Sequence, residues 1–311
     1  MIKITVLTPC FNEELNVEEV YIQTKAVFAT IEGVEYEHLF IDNCSSDRTV
    51  EILRHLAASD SNVKIILNVR NFGHIRSPYH ALLQARGDAV ITLVADLQDP
   101  PELIRVFIAH WRTGSKVVVG VKPSSEESML MFLVRRLYYR TVSRISDVEL
   151  IQNFTGFGLY DRQVIEVLRK IDDPYPYFRG LISEIGFKAM QVPYNQPKRI
   201  RGITKNNFYT LYDIAMLGIT SHSRVPLRLA TMCGFALSAI SLLVSFVYLL
   251  LKLFFWDRFS FGAAPILIGM FFFASVQLFF IGLLGEYVGA ILTQVMKRPL
   301  VVEKERINFD V

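Results

Sequence analysis

The sequence predicts an α/β domain built on a mainly parallel sheet with helices on both faces, followed by two helices long enough to cross a membrane. Two observations lead to this fold class. Short β-rich runs alternate with helical stretches over roughly the first two hundred of the 311 residues, and this alternation is typical of a parallel sheet covered by helices. The apolar excess, 51% of all residues, is concentrated in two long runs beyond that region.

Five runs rich in β-branched residues predict strands, and four stretches between them predict helices. The predicted strands cover residues 2–10, 36–43, 63–69, 89–96 and 115–122. The predicted helices cover residues 16–31, 45–58, 77–87 and 101–114. Ser46 or Asp47 is the expected N-cap of the second helix. Gly87 is expected to close the third helix, and prolines open the fourth.

Three of the predicted strands are followed by a residue with an oxygen-bearing side chain, namely Asn12, Asp42 and Asp96. In an open parallel sheet, ligands bind beyond the carboxyl ends of the strands. A single aspartate at such a place is more often a helix cap than a ligand. Three residues from three different strands favour a binding site over a set of caps.

The motifs present and absent narrow the chemistry of this edge. The sequence has no GxGxxG after the first strand and no GxxxxGK[ST], so dinucleotide and P-loop sites lose their main support. Asp96, Gln98 and Asp99 follow the fourth strand, with Asp42 and Glu13 close to them in the predicted topology. A few oxygen ligands suit Mg²⁺ or Mn²⁺ that also holds the phosphates of a substrate. We therefore expect a nucleotide diphosphate at this edge.

The two apolar runs cover residues 229–251, which carry no charge, and 263–292, which carry only Glu286. Each exceeds the roughly 20 residues that cross a hydrocarbon core of about 30 Å. A buried core helix is the alternative, but two such runs with so few charges favour membrane-spanning helices. Gly285 and Gly289 form a GxxxG pattern, which allows close approach of helices within the pair or between subunits.

Basic residues flank both apolar runs. They are Lys198, Arg199, Arg201, Lys205, Arg224 and Arg228 before the first run, and Lys297, Arg298, Lys304 and Arg306 after the second. The positive-inside rule then places the N-terminal domain and both chain ends in the cytoplasm, which predicts a multi-pass protein of the inner, cytoplasmic membrane. A basic cluster also fits nucleic acid, but beside a membrane hairpin we expect attraction to anionic headgroups and no nucleic-acid partner.

Several longer motifs resemble those of a known family. They are TPCFNEELNV, FIDNCSSDRT, NFGHIRSPYHALLQARGD, VADLQDPPEL and YFRGLISEIGFKAMQVPYNQPKRIRGITK. In this order and spacing the chain resembles family 2 glycosyltransferases, and within them the polyisoprenyl-phosphate branch of dolichol-phosphate mannose synthase and the bacterial undecaprenyl-phosphate glucosyltransferases. The resemblance covers nearly the whole chain. It implies a GT-A-type, Rossmann-like fold and two spans like those of the bacterial members.

The resemblance also implies roles for individual residues. The residues implied to hold the nucleotide are Pro9, Phe11, Asn12, Glu13, Asp42 and Asp96. Asp96 and Gln98 are implied to bind the metal, Mg²⁺ or Mn²⁺. The cations implied near the acceptor phosphate are Lys122, Arg136, Arg140 and Lys205, of which Lys122 and Arg136 join Asp96 and Gln98 as the implied catalytic set. A solvated basic helix face is the alternative for the acceptor cations.

The sequence departs from the family pattern at several positions. Val94 replaces the first aspartate of the usual Asp-Ala-Asp-Leu-Gln, so the metal would have fewer carboxylate ligands. Gly156 replaces a carboxylate proposed as catalytic in relatives, and Gly158 replaces an arginine. Asp161 matches a family aspartate that we expect to be structural. An acceptor phosphate monoester has a second pKa of about 6 and is mostly dianionic at neutral pH, so we expect inverting displacement without a strong general base.

The sequence therefore predicts a membrane glycosyltransferase that moves a sugar, with UDP-glucose favoured as donor, to a polyprenyl phosphate. The predicted parts are a cytoplasmic domain over residues 1–200, amphipathic helices over 201–228, two spans over 229–292 and a cytoplasmic tail over 293–311. The apolar face of the 201–228 segment suits a helix that lies on the bilayer, with packing against the domain as the alternative. The resemblance implies a homo-oligomer, a tetramer in bacterial members, and a role in decorating cell-envelope polysaccharide. A transferase that extends a surface polysaccharide and a non-catalytic nucleotide- or lipid-binding scaffold remain as alternatives.

Overall fold

The structure is a computed structural model that describes residues 2–122, 151–196, 216–218, 220, 225–254 and 263–309. Arg136, Arg140 and Lys205, three of the implied acceptor cations, lie outside these residues. Most of the predicted amphipathic segment over residues 201–228 lies outside them too.

The described residues form eight strands and eight helices. The strands are β1 (Ile2–Cys10), β2 (Val34–Asp42), β3 (Val63–Asn68), β4 (Ala89–Thr92), β5 (Val117–Val121), β6 (Phe154–Asp161), β7 (Ala189–Pro193) and β8 (Glu303–Ile307). The helices are α1 (Val17–Phe28), α2 (Thr49–Ser59), α3 (Gly73–Gln84), α4 (Leu103–Arg112), α5 (Arg162–Ile171), α6 (Phe178–Glu184), α7 (Val225–Phe254) and α8 (Ala263–Met296).

All eight strands belong to one sheet in the order β7-β5-β6-β4-β1-β2-β3-β8. Strands β1 to β4 are parallel, β5 and β7 are parallel to each other, and β6 runs antiparallel to both β4 and β5. Strand β8 runs antiparallel to β3. The predicted mainly parallel sheet is therefore confirmed, with two antiparallel strands added to it.

Helices cover both faces of the sheet, because the central strands bury side chains in both directions. Leu7 of β1 packs with residues of α3, α5 and α6, whereas Ile4 and Val6 of the same strand pack with α1 and α4 on the other face. Helices α1 and α2 also enclose Phe40 of β2. Burial on both faces explains why these strands are continuous apolar runs rather than alternating ones.

The element ends differ from the prediction at several points. Strand β4 ends at Thr92, four residues early, because the chain turns there into the loop that carries Asp96. Helix α3 begins at Gly73 and contains Pro78. Gly87 does not close this helix. A Cβ atom at Gly87 would lie 2.6 Å from the backbone nitrogen of Thr5, so the glycine permits close approach to β1.

The chain returns to the sheet after α8 and adds β8 at its edge, within the residues predicted to be a tail. Glu305 of β8 pairs with Arg54, and Glu303 pairs with His80. The Asn308 side chain donates to the carbonyl oxygens of Ala57 and Val63, at 2.8 and 2.9 Å. The charged sequence EKERI has no apolar alternation. Its partners are charges on neighbouring elements, which the local pattern does not reveal.

Helices α7 and α8 each contain a segment long and apolar enough to span a membrane, Val225–Val244 and Gly269–Met296. Neither segment is buried within the chain, unlike the core helix of a soluble protein. Phe235 and Leu278, for example, are 73% and 69% exposed. Because large apolar side chains at this density are costly in water, the two segments are consistent with membrane association.

The strands that precede and follow the α7–α8 helix pair both reach the carboxyl edge of the sheet. Strand β7 ends level with β5, where Pro193 pairs with Val121, and most residues between it and α7 lie outside the described ranges. Strand β8 begins at the same edge, where Glu303 pairs with Asn68 at the end of β3, and follows α8 after residues 297–302. The end of α8 therefore lies near the edge where the sequence predicts ligand binding.

Asp161 is structural, as predicted. It caps α5 by accepting a hydrogen bond from the backbone nitrogen of Gln163 at 2.9 Å. Its other oxygen accepts from the indole nitrogen of Trp111 at 2.7 Å and from the Lys116 ammonium at 3.1 Å. One carboxylate thus joins α4, α5 and the start of β5.

We expect Asp161→Asn to destabilise the protein by about 1.5–3 kcal/mol, because an amide NH₂ would face the Trp111 or Lys116 donor and leave a buried group unpaired. The matched control is Asp172→Asn. Asp172 is exposed, and its backbone has a left-handed helical conformation that asparagine tolerates. Its effect should stay within about 0.5 kcal/mol. Melting followed by circular dichroism in detergent measures both, and equal melting temperatures for the two variants would contradict the role of Asp161.

Candidate active site

The loops after β1 and β2 are joined at the carboxyl edge by hydrogen bonds around Asn12. Asn12 has a φ of 56°, a conformation that asparagine tolerates better than most residues. Its backbone nitrogen donates to the Ser45 hydroxyl at 2.9 Å, and its side-chain oxygen accepts from the backbone nitrogen of Ser46 at 2.8 Å. The two loops therefore form one unit above β1 and β2.

Asp42 ends β2 beneath this unit and is 1% exposed. It accepts hydrogen bonds from the backbone nitrogen of Ser45, at 2.9 Å, and from the Ser45 hydroxyl. Burial raises the pKa of Asp42, and the hydrogen bonds from Ser45 oppose that rise. The structure brings the predicted nucleotide residues of these two strands together at one edge. They are Pro9, Phe11, Asn12, Glu13 and Asp42.

Further residues organise these loops and were not predicted as part of the site. Asp47 accepts a hydrogen bond from the backbone nitrogen of Glu14 at 3.2 Å, and Glu14 accepts one from the backbone nitrogen of Arg48 at 3.0 Å. Asp47 also accepts from the Thr49 backbone nitrogen at 3.0 Å. The expected N-cap, Ser46 or Asp47, is wrong: Arg48 occupies the cap position without a side-chain cap, because the Asp47 carboxylate instead joins this turn to the loop after β1.

Asn43 holds the loop between β3 and α3. Its side-chain oxygen accepts from the Phe72 backbone nitrogen at 2.9 Å and from the Asn68 amide at 3.2 Å. Its amide nitrogen donates to Asn71 at 2.9 Å. The two segments belong to the motifs FIDNCSSDRT and NFGHIRSPYHALLQARGD, but neither motif indicates that they meet.

The two predicted metal ligands lie in one tight turn after β4. The backbone nitrogen of Gln98 donates to the Asp96 carboxylate at 3.1 Å, and Leu97 between them has a φ of 57°. Both Asp96 and Gln98 are half-buried. In the described part of the chain, no three His, Cys, Asp or Glu residues cluster as a metal cage would. This donor set suits Mg²⁺ or Mn²⁺ held by few protein oxygens and by substrate phosphates.

Asp99, the next residue after Gln98, fixes this turn through a buried hydrogen bond. It is 3% exposed and accepts a hydrogen bond from the Tyr194 hydroxyl, beyond the end of β7. Burial raises the pKa of Asp99 to about 6, while the Tyr194 bond and the charge of Lys122 oppose the rise. A Cβ atom at Gly120 would lie 2.9 Å from the Tyr194 ring, so the glycine makes room for this contact. Tyr194 and Gly120 were not predicted.

Lys122 follows β5 at the same edge. Its backbone nitrogen donates to the Asn153 carbonyl oxygen at 3.2 Å, next to the start of β6. The preceding residue, Val121, accepts a hydrogen bond from the Tyr194 backbone nitrogen at 3.0 Å, and the Tyr194 hydroxyl bonds to Asp99. Lys122 therefore follows β5 on the side of the turn that holds Asp96 and Gln98. Lys122 is therefore the one implied acceptor cation whose position the described residues include.

The two glycines that depart from the family pattern both have backbone roles. Gly156 has a φ of 108°, and its carbonyl oxygen accepts from the hydroxyls of Tyr160, at 2.7 Å, and Thr92. A Cβ atom at Gly158 would lie 2.5 Å from the carbonyl oxygen of Val118 on β5. A side chain at position 158 therefore requires β5 and β6 to move apart.

Comparisons with known proteins agree with this architecture. Residues 5–169 match Glycosyl transferase family 2. The uncharacterized glycosyltransferase YkcC of Bacillus subtilis is 35% identical, over 99% of this chain and 95% of the relative. The bactoprenol glucosyl transferase of Shigella phage SfII is 33% identical, over 97% of this chain and 98% of the relative.

A more distant similarity is found among solved structures. Glucosyl-3-phosphoglycerate synthase from Mycobacterium tuberculosis, in complex with uridine diphosphate, is 19% identical with a TM-score of 0.46. The similarity covers 70% of this chain and 78% of that one.

The raised pKa of Asp99 predicts a specific pH dependence of stability. In the folded protein Asp99 keeps its proton up to a pH of about 6, whereas an aspartate in the unfolded chain loses it near pH 4. The folded state therefore binds more protons between these values. The stability that protonated Asp99 contributes is lost as the pH rises through that range.

Asp99→Asn keeps an acceptor for Tyr194 but cannot ionise. We expect the stability of this variant, relative to the unsubstituted protein, to improve by up to about 3 kcal/mol between pH 4 and pH 8. Melting temperatures measured across that range in EDTA test this. A difference between the two proteins that does not change with pH would show that Asp99 ionises at its ordinary pKa.

Proposed function

Because the chain belongs to glycosyl transferase family 2, we propose that it transfers a sugar from a nucleotide sugar to a polyprenyl phosphate at a membrane surface. The relatives named bactoprenol glucosyl transferase support this acceptor and favour glucose as the sugar. UDP-glucose is therefore the favoured donor.

One observation carries the proposal: α8 ends beside the edge that holds Asp42, Asp96 and Gln98, because β8 begins at that edge and Gln294 of α8 donates to Asp173 at 2.8 Å. A polyprenyl chain stays within the bilayer while its phosphate lies at the surface. An enzyme that uses this acceptor needs its binding edge beside the membrane. The position of the end of α8 supports that placement, with the sheet on the cytoplasmic side.

The donor would bind across the loops of β1, β2 and β4. Asn12 and Asp42, with Pro9, Phe11 and Glu13 around them, would hold the nucleoside. Asp96 and Gln98 would hold Mg²⁺ or Mn²⁺ against the diphosphate, and the bound metal neutralises the charge of that leaving group. Asp99 and Tyr194 keep the turn of Asp96 in place from below.

In the proposed reaction, an oxygen of the acceptor phosphate forms a bond to the anomeric carbon as the bond from that carbon to the diphosphate oxygen breaks. The configuration at the carbon is inverted. The acceptor needs no strong general base, because a phosphate monoester with a second pKa of about 6 is already ionised. Lys122, with Arg136, Arg140 and Lys205, would draw the acceptor phosphate towards the donor. The task left to the protein is alignment and charge neutralisation.

The test is transfer by the full chain in detergent with undecaprenyl phosphate, Mn²⁺ and a panel of radiolabelled nucleotide sugars. We expect an organic-soluble labelled product with inverted anomeric configuration, and loss of product in EDTA. A product that stays in the aqueous phase on polysaccharide would favour an extending transferase. No product from any donor, with nucleotide still bound, would favour a scaffold.

Asp96→Asn should lower the transfer rate by about 10²-fold or more. The metal would lose its carboxylate ligand, and the charge of the leaving diphosphate would be neutralised less well. The matched control is Asp88→Asn, an exposed aspartate at the opposite end of the same strand. Its rate should stay within about twofold of the unsubstituted protein, since the site lies at the other edge. Equal rates for the two variants would remove Asp96 from the metal site.

A further inference from the structure

Arg179 on α6 is a half-buried cation that lacks an anionic partner within the described part of the chain. Its Nη1 lies 3.5 Å from the carbonyl oxygen of Phe154, and its guanidinium carbon lies 5.4 Å from the centre of the Tyr177 ring. Arginines withdrawn from water are usually paired with a carboxylate or another anion. By contrast, Arg54 and Arg169 have glutamate partners in the same domain.

A second donor side chain, His74, lies in the first turn of α3, whose amino end carries partial positive charge. This turn packs against the segment that leads into α6, because the Arg76 guanidinium donates to the carbonyl oxygen of Pro174 at 3.2 Å. Burial and the nearby charge of Arg179 lower the pKa of His74, so its imidazole binds as a neutral N–H donor.

This pair lies beside the candidate active site. Arg179 contacts Phe154, the first residue of β6, and Lys122 bonds through its backbone to Asn153 just before it. Next to Lys122, Val121 accepts from the backbone nitrogen of Tyr194, whose hydroxyl bonds to Asp99 in the turn of the proposed metal ligands. Arg179 and Lys122 thus flank the start of the same strand.

The pair also lies close to where α8 leaves the membrane region. The side chain of Gln294, in the last turn of α8, donates to Asp173 at 2.8 Å, and Lys297 lies 3.7 Å from Asp172. These two aspartates end α5 and lead directly into the loop before α6. A headgroup that enters along α8 meets this side of the edge first.

We propose that Arg179 and His74 bind the phosphate monoester of the membrane-embedded acceptor. The proposal rests on the proposed function and adds two residues to it. The Arg179 guanidinium supplies paired N–H donors of the geometry that phosphate oxygens accept, and His74 supplies a further ring donor. The donor diphosphate is the other source of the same chemistry. The loop between α5 and α6 contacts the end of α8, and this position favours the lipid-linked acceptor phosphate over the donor diphosphate.

The experiment compares steady-state kinetics of the full chain with undecaprenyl phosphate and UDP-glucose for Arg179→Ala, Arg179→Lys and His74→Gln. The matched control is Arg86→Ala, an exposed arginine at the opposite edge of the sheet. We expect Arg179→Ala to raise the KM for undecaprenyl phosphate by about 10-fold or more, and Arg179→Lys to recover part of that loss. The KM for UDP-glucose should stay within about twofold, and the control should match the unsubstituted protein.

Two results would overturn the proposal. A rise in the KM for UDP-glucose with an unchanged KM for undecaprenyl phosphate would assign Arg179 and His74 to the donor diphosphate. Unchanged KM values for both substrates would remove them from the site. If Arg179→Ala lowers the melting temperature, the KM values of Arg179→Lys and His74→Gln test the proposal instead. Transfer by the unsubstituted protein is measured in parallel, so failure of the proposed function is recognised separately.

Discussion

The return of the chain from α8 to the carboxyl edge of the sheet is the constraint on which the proposed site depends. Parallel strands place every carboxyl end at the same edge, and β8 begins at that edge soon after α8 ends. Gln294 in the last turn of α8 also donates to Asp173 at 2.8 Å, so the helix end contacts the loop after α5. If α7 and α8 cross a membrane, these contacts keep this edge towards the bilayer, whatever the site binds.

The edge is also divided by charge. Of the residues assigned to substrates, Asp42 and Asp96 lie on the side of β2 and β4, whereas Lys122 and Arg179 lie on the side of β5, β6 and α6. A reaction between two phosphate-bearing substrates must overcome their mutual repulsion. A metal with the donor on the acidic side, and cations with the acceptor on the basic side, would offset the charge of each substrate separately. The division therefore matches the proposed chemistry better than a uniformly basic groove would.

The parts of the fold that follow from local pattern were predictable, and those that depend on distant contacts were not. All five predicted strands form, and β1 has the predicted ends, because buried parallel strands are recognisable from continuous apolar runs. Strand β8 was missed because its charges pair with residues about 250 positions away, such as Arg54. Tyr194 was missed for the same reason, since it meets Asp99 across 95 residues. The polar strand ends were visible in the sequence. The contacts that shape the loops were not.

Gly156 and Gly158 bear on the proposed mechanism. The positive φ of Gly156 and the two hydroxyls on its carbonyl oxygen fix the backbone at the place where the family resemblance implies a carboxylate. The close approach of Val118 to Gly158 leaves no space for a side chain two residues later. Gly158 is therefore required by the β5–β6 pairing and Gly156 by its positive φ, and neither position supplies a side chain to the site. The proposed transfer without a general base depends on an acceptor that is already ionised. A phosphate monoester meets that condition at neutral pH, whereas a sugar hydroxyl does not. The same two glycines thus favour a lipid phosphate over a polysaccharide as the acceptor.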